Sequence, residues 1–242
     1  GEFISGADGE AVLAIANSEE IVYSDVDKLG EYQHKFYYIQ KHIDKILELP
    51  LVNKKAIKER NFKVVIDCVN STGGISVPEL LVALGVTDVV ELFTNPNGRF
   101  PHNPEPLPEH LGTIAHEVKH QKADVGLVVD PDVDRLAIVC ENGDMFGEEY
   151  TLVSIADYVL KHTPGNVVSN LSSTQALRDV AVKHKVEHHQ SAVGEVHVVS
   201  MMKEVNAIIG GEGNGGIILP ELHYGRDALV GIALFLSHLA TS

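Results

Sequence analysis

The chain has 242 residues, with 19 Lys and Arg against 34 Asp and Glu and a net charge of −15 with His neutral. That balance argues against a nucleic-acid phosphate backbone or an anionic membrane surface as partner, since both attract basic faces. Hydrophobic residues at 44% supply enough for one large or two medium cores, and no apolar run approaches the ~20 residues of a membrane span.

The chain opens at Gly1-Glu2-Phe3-Ile4-Ser5-Gly6 rather than at Met, with no signal-peptide pattern, and ends soon after a helix at Thr241-Ser242. An excised or processed piece of a longer polypeptide is expected. Helical spacing runs from Asp8 to Ala16. A longer amphipathic pattern follows from Tyr32 to Leu49, where Phe36, Ile39, Ile43, Ile46 and Leu47 recur at threes and fours before Pro50. Asn61 to Val69 is a buried strand centred on Val64-Val65-Ile66, and Ser71-Thr72-Gly73-Gly74 a turn. Val77 to Leu84 is a helix ended by Gly85, and Asp88 to Phe93 a strand. Residues 95–106 are too rich in Pro and Asn for regular structure, and Leu111 to Gln121 is a helix. Two apolar strands, Val125 to Val129 and Leu136 to Val139, then flank Asp130-Pro131-Asp132-Val133-Asp134-Arg135.

A second unit begins with a helix over Glu148 to Leu160 and a strand over Asn166 to Asn170. Ser172-Ser173-Thr174 starts the helix Gln175 to Lys183, a short strand spans His188 to Ala192, and Val196 to Glu204 is helical. Strand Ala207-Ile208-Ile209 runs into Gly210-Gly211-Glu212-Gly213-Asn214-Gly215-Gly216, with Ile217-Ile218-Leu219 as the return strand and Asp227 to Leu239 as an apolar closing helix. The halves echo each other: strand, Ser-Thr turn, helix, and later helix, strand, acidic loop, strand. This is the pattern of a duplicated α/β unit. It predicts two similar three-layer α/β/α domains with mixed, mainly parallel sheets, whose equivalent loops face one cleft. The expected boundaries are 1–30 for a remnant of a first domain and its linker, 31–146, and 147–242.

Asp130, Asp132 and Asp134 crowd three like charges onto a loop between buried strands. A divalent cation removes that repulsion, and hard oxygen ligands suit Mg²⁺. Arg135 adds a planar fork suited to phosphate, so the combination points to phosphoryl transfer. The rival EF-hand reading places Glu141 at the twelfth position, but Arg135 stands where that turn needs glycine and the flanks are strands. A reading with Asp130 as a phosphate-accepting nucleophile lacks the later acidic pair such phosphatases need. In the second loop, glycines permit close approach to the backbone, and Glu212 and Asn214 at alternate positions suit vicinal hydroxyls. His116 and His120 have a zinc-like spacing without a third ligand. Ser71, Ser172 and Ser173, each following a strand, read as helix caps. Cys68 and Cys140 lie in apolar runs and read as buried thiols of a reducing compartment, hence a cytoplasmic protein, with a disulfide between them as the less favoured alternative.

Together these motifs resemble the α-D-phosphohexomutase superfamily, of phosphoglucomutase/phosphomannomutase type. Asp130 to Arg135 is similar to its metal loop and Gly211 to Gly216 to its sugar-recognition loop. Asp67 to Gly74 and Asn103-Pro104-Glu105-Pro106 are similar to stretches of its second domain, and Gly225-Arg226-Asp227-Ala228 to the segment after the sugar loop. The resemblance implies four domains around a cleft, and interconversion of hexose 1-phosphate and hexose 6-phosphate through a phosphoserine and a hexose 1,6-bisphosphate. It implies Mg²⁺ on Asp130, Asp132, Asp134 and the phosphoserine. Arg135 would stabilise the transferring phosphoryl group or orient a general base. Glu212 and Asn214, with Gly211 and Gly213 beside them, would hold sugar hydroxyls. Asn214 departs from the serine many members carry. The Ser-His-Asn-Pro-like phosphoserine stretch is absent, since no serine precedes His102 in Phe100-Pro101-His102-Asn103-Pro104; the fourth domain is absent as well. The expectation is therefore the second and third domains alone, inactive without the first and fourth domains of the same polypeptide, binding metal and phosphorylated hexose weakly. A phosphoglucosamine mutase fragment and a non-catalytic metal or sugar-phosphate module are the alternatives.

Overall fold

A computed structural model describes residues 4–18 and 21–242; the opening Gly1-Glu2-Phe3 lies outside the described residues. Helix α1 (Gly6–Ala16) is closed at its start by a capping box between Ser5 and Asp8 and buries none of its residues. Helix α2 is shorter than its amphipathic pattern, spanning Tyr38–Glu48 rather than starting at Tyr32. Its buried side chains are Ile43 and Ile46, whereas Tyr32 and Phe36 are 90% and 81% exposed. Apolar spacing without an opposing face does not sustain a helix, because packing supplies most helix stability. A short helix that the pattern does not predict, α3 (Lys54–Arg60), follows, capped by the Asn53 side chain and anchored by Ile57.

The first sheet contains β1 (Lys63–Asp67), β2 (Asp88–Leu92), β3 (Val125–Val129) and β4 (Leu136–Cys140) in the order β2-β1-β3-β4. The first two pairings are parallel and β3–β4 is antiparallel. Helix α4 (Gly73–Leu84) links β1 to β2, and α5 (Gly112–Gln121) precedes β3. The second sheet repeats the plan with β5 (Val167–Asn170), β6 (His188–Ser191), β7 (Ile209–Gly211) and β8 (Ile217–Ile218), ordered β6-β5-β7-β8. Again two pairings are parallel and the last is antiparallel. Its helices are α6 (Glu148–His162), α7 (Ala176–His184), α8 (Glu195–Glu204) and α9 (Ala228–Thr241). Strand β7 lies further along than Ala207-Ile208-Ile209 and enters the glycine run. The two-domain α/β/α architecture with mixed sheets is therefore present, and the echo in the sequence is a repeat of topology.

Strand alternation divides the core. Val64, Ile66, Leu127 and Val129 face one cluster while Val65 and Val128 join Ile114 and Val118 of α5 on the opposite face. In the second sheet Val167, Ile209 and Ile217 face the main cluster, and Val168 and Ile218 meet Val198 and Met202 of α8. The main cluster is continuous through both units, because α6 and α9 each touch both sheets. Ile232, Leu234 and Leu236 of α9 are fully buried, worth about 1.5–3 kcal/mol each. Polar ties reinforce this seam: Tyr158 Oη donates to the Leu51 carbonyl at 2.7 Å, and Ser237 Oγ accepts from the Asn53 N–H at 2.9 Å. Among the described residues no helix is long and apolar enough to cross a membrane.

Candidate active site

The β3–β4 hairpin carries the three aspartates. Asp130 follows β3 directly and is buried; its Oδ1 accepts from the N–H groups of Asp134 (3.0 Å) and Arg135 (3.1 Å). This cap forces the loop tightly around, with Val133 at φ +63°, an uncommon backbone for a β-branched residue and a local store of strain. Asp130, Asp132 and Asp134 each present an oxygen, all within 4.8 Å of one another. Burial pushes the Asp130 carboxyl up to about 7; the Arg135 N–H opposes this, and the charges of Asp134 and Asp132 add to it. Asp134 Oδ1 is buried without a hydrogen-bond partner. Three converging hard carboxylate oxygens on one loop fit a divalent cation.

Arg135 projects beside this cluster. Its Nη1 donates to Glu105 Oε1 at 3.0 Å, and its Nε lies 3.6 Å from Asp130 Oδ2 and 3.8 Å from Asp134 Oδ1, unpaired in hydrogen-bond terms. Glu105 comes from the Pro- and Asn-rich segment, which is ordered by its own polar groups. Asn103 Oδ1 accepts from the Glu105 N–H, and His102 Nδ1–H donates to the Asn103 carbonyl. His102 Nε2 sits 3.0 Å from Asp67 Oδ2 at the end of β1, and burial raises the Asp67 carboxyl above its ordinary value. A cleft of about 310 Å³ opens between Pro104, Glu105, Asp130, Pro131, Asp132 and Arg135, within the range of small-ligand sites.

Ser71, Ser172 and Ser173 do not cap the helices that follow them. Ser71 Oγ and Thr72 Oγ1 donate to the Pro131 carbonyl at 2.8 and 2.6 Å, and Thr72 at the start of α4 makes no cap bond. A hairpin-loop carbonyl without a ladder partner takes both hydroxyls. In the second unit Ser172 and Ser173 Oγ donate to Asn170 Oδ1, and Asn170 Nδ2 donates to Glu212 Oε1 at 2.9 Å. Asn170 ends β5 as Asp67 ends β1, so polar residues at equivalent strand ends support both loops. A polar residue closing each strand after a Val-Val pair was the available sequence signal for both.

The sugar-like loop is inward-turned. Glu212 is buried, with Oε1 accepting from Asn170 and from the Gly194 N–H (3.2 Å), and Oε2 accepting from Arg226 Nη1 at 2.8 Å. Asn214 Oδ1 accepts from the Gly216 N–H at 3.2 Å, Gly211 ends β7, and Gly213 packs on Ser173. The two loops are bonded to each other: the Leu136 N–H donates to the Gly215 carbonyl at 3.1 Å, and Arg135 bridges Gly216 in antiparallel fashion. This contact demands glycine. Gly215 has φ +88°, and a Cβ on Gly216 would stand 2.4 Å from Arg226 Cδ. The Ala228 N–H also donates to the Val133 carbonyl at 3.0 Å.

The segment after the sugar-like loop contributes more than its motif indicated. Asp227 Oδ1 caps α9 by accepting from the N–H groups of Leu229 and Val230, and its Oδ2 meets Nε2 of His42 (2.7 Å) and His223 (3.1 Å). Against the cost of burial, those two imidazoles hold the Asp227 carboxyl well below the usual carboxylate range. His223 Nδ1 accepts from the Gly225 N–H, so Nε2 carries its proton and the trio is a hydrogen-bonded clasp. His116 and His120 stack on α5 with ring centroids 5.9 Å apart, and neither belongs to a metal-capable cluster among the described residues. Cys68 and Cys140 are free thiols.

Comparison with known proteins places this geometry. Residues 40–143 match the phosphoglucomutase/phosphomannomutase alpha/beta/alpha domain II model, and residues 147–242 match the domain III model. A phosphoglucomutase/phosphomannomutase of Thermococcus kodakarensis is 34% identical, over 93% of this chain and 49% of that protein. A phosphoglucosamine mutase of Sulfurovum sp. is 31% identical, over 92% of this chain and 52% of that protein. The crystal structure of a phosphoglucomutase/phosphomannomutase family protein from Burkholderia thailandensis superposes with a TM-score of 0.75 at 28% identity, covering 84% of this chain and 44% of that one. The chain thus spans about half the length of the curated relatives it matches.

Proposed function

The chain belongs to the phosphoglucomutase/phosphomannomutase family, and from that premise we propose that residues 31–146 and 147–242 are the metal-loop and sugar-loop domains of a phosphohexomutase. The observation that carries the reading is the joining of two chemistries at one seam. Three aspartate oxygens within 4.8 Å lie beside Arg135, and the loop bearing them is hydrogen-bonded through Leu136 to the loop bearing Glu212 and Asn214. Asp130, Asp132 and Asp134 would hold Mg²⁺, which when bound neutralises charge on a transferring phosphoryl group.

Arg135 presents its remaining guanidinium N–H groups to phosphoryl oxygens while Glu105 fixes its plane. Glu212 and Asn214 accept vicinal hydroxyls of the hexose with lone pairs their internal bonds leave free, and Gly211 and Gly213 let the sugar approach the backbone. The reaction in this reading moves a phosphoryl group between the 1- and 6-oxygens of a hexose through a hexose 1,6-bisphosphate. The phosphoserine donor comes from outside these 242 residues, which contain no Ser-His-Asn-Pro-like stretch. These residues alone are accordingly inactive and need first and fourth domains of the same polypeptide. The likeness to a phosphoglucosamine mutase supports glucosamine phosphate as the second substrate reading.

The test is a mutase assay with Mg²⁺, a bisphosphorylated activator, and glucose 1-phosphate, mannose 1-phosphate or glucosamine phosphate in turn. It is run on the chain alone and fused to the flanking domains of the Thermococcus kodakarensis relative. Turnover by the fusion only supports the reading, and the preferred sugar selects between the two substrates. Turnover by the chain alone would place the nucleophile within these residues and overturn it. Binding with no turnover in the fusion would favour a non-catalytic module.

A further inference from the structure

Arg226 has no part in the chemistry described so far, yet it is the most heavily shared side chain at the seam. Its Nη2 bonds Asp134 Oδ2 of the metal loop, its Nη1 donates to Glu212 Oε2 of the sugar loop at 2.8 Å, and its Nε lies 2.9 Å from Glu195 Oε2 at the start of α8. The Nε contact is an ion pair off the hydrogen-bond direction, and the Arg226 N–H donates to Glu195 Oε1 at 2.9 Å. The side chain is only 14% exposed. Burial works against its charge, and Asp134, Glu195 and Glu212 more than restore it, so the guanidinium stays a fixed cation.

Glu195 gives both of its oxygens to Arg226, whereas Asp134 and Glu212 each keep a second oxygen for other groups. Asp134 gives Oδ2 to Arg226 and leaves Oδ1 buried without a hydrogen bond, 3.8 Å from Arg135 Nε, and Asp134 offers one carboxylate oxygen within 4.8 Å of those of Asp130 and Asp132. Glu212 gives Oε2 to Arg226 and has Oε1 on Asn170 and Gly194. The Nη1 and Nη2 atoms belong to one rigid plane, so the position of the metal-loop carboxylate fixes that of the sugar-loop carboxylate. A lysine, with one compact charge on a flexible stem, cannot span both. The methylenes of Arg226 also pack on Gly216, where any Cβ would collide with Cδ at 2.4 Å.

The geometry points to Arg226 as a positioning residue that couples cation binding on Asp130, Asp132 and Asp134 to polyol binding on Glu212 and Asn214. The inference rests on the reading of the two loops given above. Coupling of this kind is reciprocal: the cation strengthens sugar binding by the same factor that the sugar strengthens cation binding.

The experiment is a backbone amide NMR titration of the whole chain with Mg²⁺ and with glucose, which has no phosphate to bridge directly to the metal. In the unaltered chain, Mg²⁺ should shift the amides of Asp130 and residues 132–135 and also those of 212–216, and should lower the glucose dissociation constant by roughly fivefold. In Arg226→Lys, Mg²⁺ should still shift Asp130 and residues 132–135, while 212–216 no longer respond and the glucose constant is the same with and without Mg²⁺. Full coupling retained in Arg226→Lys would overturn the proposal, since charge alone would then suffice. A second measurement needs no variant: the Arg226 guanidinium resonances should move on addition of either ligand separately, and a response to one ligand only would also overturn it. Failure of the loop readings looks different. No shift at Asp130 and residues 132–135 with Mg²⁺ removes the metal site, and no shift at 212–216 with glucose removes the sugar site, in the unaltered chain.

Discussion

Replacing Gly215 by alanine measures how tightly the two loops are joined. Gly215 has φ +88°, and an added Cβ would stand 2.5 Å from the Leu136 carbonyl oxygen and 3.2 Å from the Leu136 nitrogen. A left-handed backbone costs an L-residue about 1–2 kcal/mol. The clash can be relieved only by moving the first residue of β4, whose N–H donates to the Gly215 carbonyl at 3.1 Å. Losing that bond costs about 0.5–1.5 kcal/mol, and displacing the fully buried Leu136 at least ~1 kcal/mol more. Gly98 is the internal control, with φ +71° and no atom within 4 Å of an added Cβ. Gly98→Ala should therefore carry the conformational cost alone, about 1 kcal/mol. The gap between the variants is expected to be about 1.5–2.5 kcal/mol, which at an m-value of ~3 kcal/mol/M separates their urea midpoints by roughly 0.5–0.8 M. Equal midpoints would mean that the loops do not touch as described, and the joined site would lose its physical basis.

Asp130→Asn keeps the acceptor that caps the loop and removes one charge of the crowded three. It should weaken Mn²⁺ binding by about tenfold or more, as read by electron paramagnetic resonance, without lowering the thermal midpoint; unchanged affinity would reject the metal loop. His42 has a raised pKa, chiefly from its hydrogen bond to Asp227. Its stabilisation is complete below the unfolded value of about 6.5 and is lost as pH rises through the higher folded value. Asp227 shifts downward, so its share is present above about 3.9 and is lost only in strong acid. The denaturant midpoint of His42→Asn should trail that of the unaltered chain most at about pH 5.5 and least at about pH 9; a gap independent of pH would contradict the clasp. Burial pushes the Cys68 thiol far up, and Cys140 is less buried, so iodoacetamide should label Cys140 first and Cys68 only on opening of the fold. Equal labelling rates, followed by mass spectrometry, would count against the buried position of Cys68.

How legible the site was depended on how local each interaction is. The aspartate loop was readable because its three carboxylates alternate within five positions and its flanks are apolar strands. The amphipathic stretch was readable only where something faces it: Ile43 and Ile46 are buried by the fold, while Phe36 has the same spacing and stays in water. Ser71 was misassigned as a cap because nothing in its neighbours shows that Pro131, 60 positions on, will offer a free carbonyl. The expectation of a shared cleft fell short of the structure, in which the loops are hydrogen-bonded.

The sequence by itself determined the duplicated α/β plan and the place of the acidic and glycine-rich loops between paired strands. Periodicity and clustered charge act over a few residues and need no partner to be read. Only the tertiary structure decided that Glu105 holds Arg135, that Asn170 supports Glu212, and that Arg226 spans Asp134 and Glu212. The Arg226–Asp134 bond joins positions 92 residues apart. A guanidinium can serve several carboxylates, and which of them it meets is set by how α9 seats between the two sheets, a packing outcome that no local pattern records.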